Sequence, residues 1–241
     1  MHHNFLFDLD QTLLDFHASE RIALEIVIKA HGLDYNDGCY LHFKEYNKSL
    51  WLELEKGTIS RKELFTKRFT DLIHYCGGDT LIVDPLKIND EFILTMSRNG
   101  VLMEGALDFL KDLRSEISDA RCYIVSNGAT INAEGRIRST GMDNYLDGIY
   151  VSEWMGATKP SPEFFDIVLE GVKEPKETCI VIGDSLTSDM LGAQNASIDS
   201  VWFMPQGNID DAVRKYDINY CASSFDELLE KLKTWAAQKA F

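Results

Sequence analysis

Short apolar runs, each closed by polar or glycine positions, recur at residues 4–9, 121–125, 148–151, 178–183 and 200–204. Their nearly unbroken hydrophobicity predicts strands buried on both faces, as in a parallel sheet covered by helices. Between the runs, apolar residues return every three or four positions. This predicts helices over 105–116, 132–139, 162–172 and 189–195, and from about 225 onward. Two of these helices carry start signals: Ser161 with Pro162 at the first helical position, and the Ser224-x-x-Glu227 capping box. Alternation of strand and helix in this order builds a Rossmann-like α/β core with a parallel sheet flanked by helices.

The stretch 16–98 has a different texture. It holds no strand pair, and its apolar positions predict amphipathic helices over 18–30, 40–55, 61–75 and 86–98, closed by Gly32, Gly57 and Gly100. The third is opened by Ser60-x-x-Glu63, a capping box. The expected architecture is a core domain of residues 1–15 and 99–241 carrying an inserted all-helical cap domain, 16–98. Two linkers, near 14–18 and 98–104, join them.

Composition narrows the function classes. The 241 residues carry 24 Lys and Arg against 39 Asp and Glu, a formal charge of −15 with no basic stripe. Such a chain repels a phosphate backbone, so a nucleic-acid polymer is not an expected partner. No apolar stretch approaches the roughly 20 residues of a membrane span, and Asp8 and Asp10 interrupt what would be the apolar part of a signal peptide. Five cysteines without a C-x-x-C pair fit small buried hydrophobes in a reducing compartment, and the expected location is cytoplasmic.

In an open parallel sheet, ligands bind beyond the carboxyl ends of the strands. Four polar groups follow the predicted strands: Asp8-Leu9-Asp10-Gln11-Thr12, Ser126-Asn127-Gly128, Thr158-Lys159-Pro160, and Gly183-Asp184 running to Asp189. Singly, each reads as a turn, a helix cap or a solvated loop. In this order on one sheet, they bring acids, a hydroxyl and a cation to one rim.

That arrangement resembles the haloacid dehalogenase superfamily, whose motifs are D-x-D-x-T, a Ser or Thr after the second strand, Lys before Pro, and G-D-x-x-x-x-D. Gln11 departs from the glycine that many members carry there. The resemblance implies Asp8 as a nucleophile forming an aspartyl-phosphate, and Asp10 as the acid and base that serves leaving group and water. It implies Mg²⁺ held by Asp8, the Asp10 carbonyl and Asp184, with Asp189 orienting that shell and Lys159 offsetting negative charge. Ser126, Asn127 and Lys159 would hold phosphoryl oxygens, and Thr12 would support the first-motif turn.

Asp10 also points away from carbon–halogen chemistry, where no alkoxide needs a proton, and toward phosphoryl transfer. Phosphonate-cleaving members depend on a desolvated cap lysine, and nothing marks Lys29, Lys44, Lys48 or Lys56 as one. Within the predicted cap, Tyr46-Asn47-Lys48-Ser49-Leu50-Trp51 followed by Gly57-Thr58-Ile59 is similar to bacterial pyrimidine 5′-nucleotidases of the superfamily. Lys48 and Trp51 are therefore candidate substrate contacts, although Trp51 more often marks a core position and Lys48 a solvated one. Phe16 and His17, just after the first motif, are further candidates. The reading is a Mg²⁺-dependent nucleoside 5′-monophosphatase acting on a small phosphomonoester. The alternatives are a sugar-phosphate or phosphoglycolate phosphatase, a phosphosugar mutase, and a catalytically silent binding module.

Overall fold

The computed structural model describes residues 2–203 and 209–237. The chain divides into two compact units, one formed by residues up to Phe16 with those from Gly100 onward, the other by His17–Asn99. In chain order, β1 (Asn4–Phe7) is followed by α1 (Phe16–Ala30), α2 (Asp37–Glu55), α3 (Arg61–Tyr75) and α4 (Pro85–Arg98). Then come α5 (Ala106–Glu116), β2 (Arg121–Ser126), α6 (Thr130–Ser139), β3 (Gly148–Val151), α7 (Ser152–Met155) and α8 (Pro162–Val172). The chain continues through β4 (Cys179–Gly183), α9 (Leu191–Ala196), β5 (Asp199–Phe203), α10 (Ile209–Tyr216), β6 (Tyr220–Ala222) and α11 (Phe225–Ala237).

The six strands of the first unit form one sheet in the order β3-β2-β1-β4-β5-β6, and every pairing is parallel. Alternation within β1 sends Phe5 and Phe7 to one face and Leu6 to the other, and all three are fully buried. Phe5 and Phe7 pack with Phe109 of α5 and Leu228 of α11, whereas Leu6 packs with Phe164, Phe165 and Val168 of α8. Burial of such side chains stabilises the fold by roughly 1.5–3 kcal/mol each. β1 occupies the centre, and the chain order reverses between β1 and β4, which opens a ligand crevice at their carboxyl ends.

Beyond shifts of one to three residues at element ends, further details depart from the predicted elements. The three-residue β6 is too short to show as an apolar run. The predicted strand 200–204 begins one residue earlier, at Asp199, and its last position, Met204, lies outside the described residues. The helix predicted over 189–195 starts instead as a π-helical turn, Leu186–Met190, followed by α9. The cause lies in the side chains: Ser185 Oγ accepts from Ser188 N–H, and the Asp189 carboxylate turns back onto Ser185 N–H.

The second unit is all-helical. Its helices start on side-chain caps: Asn36 for α2, the Ser60/Glu63 capping box for α3, and Asp84 ahead of Pro85 for α4. Its core packs Phe43, Phe69 and Phe92 at centroid separations of 5.5–5.9 Å. Around them Arg68 is buried, its guanidinium bonded to Asn89 Oδ1 and 4.7–5.9 Å from four phenylalanine rings. Glu20, also buried, is the acid whose charge offsets it.

Candidate active site

Asp8 is the first residue beyond β1, and its N–H donates to Ile182 O of β4 at 2.8 Å, which ties it to the crevice between the two strands. Lys159 lies almost wholly buried beside it, 3% exposed. The three N–H donors of the ammonium reach three acceptors: Asp8 Oδ1 at 2.7 Å, Asp189 Oδ1 at 2.6 Å and Val125 O at 2.7 Å. Full pairing of this kind is what permits a buried ammonium. Burial works against the Lys159 charge, but Asp189 and Asp8 outweigh it and raise the pKa. The second oxygen of Asp8 accepts from Thr12 Oγ1 at 3.3 Å.

Asn127 sets where Lys159 stands. Its side-chain amide accepts Lys159 N–H at 2.8 Å and donates to Lys159 O at 2.9 Å, so one residue after β2 clamps both backbone groups of the lysine. The amide expected to hold a phosphoryl oxygen is thus engaged with the backbone. Ser126, buried at the end of β2, accepts Gly128 N–H on its hydroxyl at 3.1 Å, forming the turn that opens toward α6.

Asp189 is fully buried, and both its oxygens are in use, Oδ1 with Lys159 and Ser188 Oγ, Oδ2 with Ser185 N–H at 3.0 Å. It packs directly over Gly183, where an added Cβ would stand 2.3 Å from Asp189 Oδ2. Only glycine fits there. Asp184, the next residue, is half-buried, and its carbonyl accepts Trp202 Nε1–H at 2.8 Å.

Asp10 differs from expectation in how it is held. The strand predicted over 4–9 ends at Phe7, and Gln11 takes a left-handed φ of 62°. Asp10 sits in this turn, with its carboxylate gripped by Arg136 of α6. One bond of the pair is Nη2 to Oδ2 at 3.1 Å, and the other, Nη1 to Oδ1, is shorter. Arg136 is 1% exposed, and Phe16 lies against it, ring centroid 5.5 Å from the guanidinium carbon. Gln11 also anchors the turn, its Oε1 accepting Phe16 N–H at 2.9 Å. The left-handed backbone explains why glycine suits this position elsewhere in the superfamily.

Arg136 escaped the sequence reading. It stands in the last turn of an ordinary amphipathic helix, where a basic residue is expected on solvent grounds alone.

Oxygens of Asp8, Asp184 and Asp189 lie within 4.8 Å of one another, and this is the cluster of potential metal ligands among the described residues. Three carboxylates face one ammonium there, leaving two negative charges, while Asp10 and Arg136 neutralise each other. Burial and then Asp189 push Asp184 up to about 6. Burial pushes Asp8 up to about 8, with Lys159 opposing and Asp189 reinforcing. In this dry site Asp8 and Asp189 share one cation, which disfavours the charged form of Asp8. An all-oxygen donor set with two charges to spare fits a hard divalent cation.

The remaining candidates, His17, Lys48 and Trp51, belong to the helical unit. His17 is exposed, and its carbonyl accepts from Tyr40 Oη. Lys48 and Trp51 fall one turn apart on α2, both on the solvent side of the helical unit. Trp51, 37% exposed, is therefore not a core residue.

A family model for haloacid dehalogenase-like hydrolases matches residues 3–197. The chain belongs to this family. Pyrimidine 5′-nucleotidase PynA of Streptococcus pneumoniae is 32% identical over 230 residues, 94% of this chain and 93% of that protein. Pyrimidine 5′-nucleotidase YjjG of Escherichia coli is 30% identical, with coverage of 81% and 83%. The HAD-hydrolase YfnB of Bacillus subtilis is 31% identical, covering 88% and 89%. Its magnesium-bound crystal structure superimposes with a TM-score of 0.81 over 96% of this chain and 98% of that one. The present HAD-like hydrolase therefore shares fold and length with its relatives.

Proposed function

We propose that this HAD-like hydrolase is a Mg²⁺-dependent phosphomonoesterase that works through an aspartyl-phosphate on Asp8, with nucleoside 5′-monophosphates as its substrate class. The observation that carries the reading is the pairing of two differently held aspartates. Asp8 is aligned by Lys159 and Thr12, and Asp10, two residues on, is held by Arg136.

In this reading an oxygen of Asp8 attacks phosphorus in line, and the ester oxygen departs with its electron pair. Asp10 delivers the proton that turns the departing alkoxide into an alcohol, then takes a proton from the water that hydrolyses the acyl phosphate. The Lys159 ammonium, held against Asp8, supplies positive charge beside the transferring oxygens, where negative charge builds. Asp8, Asp184 and the Asp10 carbonyl would hold Mg²⁺, oriented by Asp189, and the ion when bound supplies the positive charge that lets a carboxylate approach a phosphate dianion.

The nucleotide part of the proposal is supported by two pyrimidine 5′-nucleotidases among the relatives and by the 46–51 stretch. Five reduced cysteines fit action in a reducing compartment, and the cytoplasm is the proposed location.

A panel of nucleoside monophosphates, sugar phosphates and phosphoglycolate, scored by phosphate release with Mg²⁺ and with chelator, tests both levels. The expected result is Mg²⁺-dependent release with kcat/KM highest for pyrimidine 5′-monophosphates. Equal kcat/KM for glucose 6-phosphate and thymidine monophosphate would remove the nucleotidase assignment and leave the phosphatase. Phosphate transfer to product in place of water would favour a mutase.

A further inference from the structure

Two of the five cysteines, far apart in sequence, meet in the fold. Cys39 lies in the first turn of α2 and Cys76 is the residue that ends α3, 37 positions away. Their sulfurs are 3.2 Å apart, and both side chains are buried, 1% and 6% exposed. The thiols form a directional chain: Cys76 Sγ–H donates to Cys39 Sγ, and Cys39 Sγ–H donates to the Asp34 carbonyl at 3.5 Å. Cys122 and Cys179 offer a contrast, because they sit on β2 and β4 on either side of β1 and face opposite layers of the core. Two strand spacings of about 4.8 Å keep that pair beyond bonding reach.

We propose that Cys39 and Cys76 are a dithiol site that a peroxide converts to a disulfide, stapling the open end of the α2–α3 hairpin. The juxtaposition is what carries this. α2 and α3 are joined by a short turn near Gly57, and the other end of the hairpin is held by the His42–Asp71 pair and the His42–Tyr75 ring stack, with no covalent tie. Closing a long loop there restricts the unfolded chain far more than it restricts the folded one.

The chemistry balances with peroxide as the oxidant. Cys39 sulfur attacks one peroxide oxygen, the O–O bond breaks, and the thiol proton leaves with the other oxygen as water, giving a sulfenic acid. Cys76 sulfur then attacks Cys39 sulfur, the S–O bond breaks, and the Cys76 proton completes a second water. Two thiols have lost two electrons and two protons to one peroxide. Burial, with the neighbouring Cys39 sulfur adding to it, pushes the Cys76 thiol up to about 12, so Cys76 stays a protonated thiol in the resting pair.

The test uses the full chain, treated with hydrogen peroxide and separately with dithiothreitol. The expected result is a fall from five titratable thiols to three under denaturing conditions. A single cross-linked peptide pair containing Cys39 and Cys76 accompanies it, with a mass lower by two hydrogens. The oxidised form gains a melting temperature higher by about 5–10 °C, reversed by dithiothreitol. Cys39→Ser and Cys76→Ala each abolish both the cross-link and the shift, while the wild-type thiol count and peptide map stand without either variant. Five thiols remaining after peroxide, a cross-link through another cysteine, or a Cys39–Cys76 bond without a rise in melting temperature overturns the proposal. Phosphatase activity is not a readout, so the outcome is independent of the proposed function.

Discussion

Arg136 and Asp10 meet across 126 residues of sequence, guanidinium to carboxylate through two N–H donors, with the arginine buried and the aspartate on the rim. A fork of this geometry fixes the plane of a carboxylate as well as its charge. Asp10 must present one oxygen to the leaving group and later to water, so its orientation is part of its chemistry. Arg136→Ala is expected to lower kcat by about 10–10²-fold with KM nearly unchanged, a positioning share of the 10²–10⁴-fold that a general acid–base group supplies. Arg136→Lys keeps the charge without the fork and should recover only part of the loss. Combined with Asp10→Asn, Arg136→Ala should cost little more than Asp10→Asn alone, and additive losses would refute the coupling.

Lys159 answers three acceptors at once, so its loss strands two buried carboxylates. Lys159→Met should lower the stability of the metal-free protein by about 3–5 kcal/mol, the usual cost of leaving a buried pair half-made. A divalent cation can replace the missing charge. Urea unfolding with and without Mg²⁺ should therefore show a larger stabilisation by Mg²⁺ in the variant than in the wild type.

Protons compete with the cation for the same oxygens. With burial holding Asp8 near 8 and Asp184 near 6, cation affinity should weaken as pH falls through 8 and weaken more steeply below 6, where two protons must leave. Calorimetry in buffers of different ionisation enthalpy counts those protons directly. An affinity flat from pH 8 to 5.5 contradicts this picture.

Glu20, buried in α1 of the helical unit, also titrates on folding. Burial raises its carboxyl to about 7, with Arg68 and then Lys44 opposing. A raised carboxylate pKa means the folded state holds its proton more tightly than the unfolded one. The contribution is then fully present below the unfolded value near 4.5 and is lost as pH rises toward 7. Glu20→Gln removes that slope, so the stability difference, variant minus wild type, should climb between pH 5 and 7 by roughly 1–3 kcal/mol. Denaturant midpoints across this range measure it, and parallel profiles would rule it out.

Much of the framework was legible because it rests on local rules. The apolar runs that became β1, β2, β3, β4 and β5 are buried on both faces and so lack polar interruption. The caps at Asn36, Ser60 and Asp84 follow from short-range side-chain hydrogen bonding. The π turn at Leu186–Met190 was hidden because Asp189 is drawn inward by Lys159 and Ser185, partners that no helical period encodes. Trp51 fits the apolar side of a helix by spacing, yet it is exposed, and Leu50 beside it takes the buried position.

The sequence by itself determined the layered architecture and which residues follow each strand, because strand burial and strand-end chemistry are written in local order. Tertiary structure alone decided which charge answers which. Lys159 bridges Asp8 and Asp189, Arg136 is committed to Asp10, Asn127 is committed to the backbone of Lys159, and Cys39 finds Cys76. Buried charges and thiols settle on whichever partner the packed helices and strands bring within about 3 Å, and that distance exists only once the chain has folded.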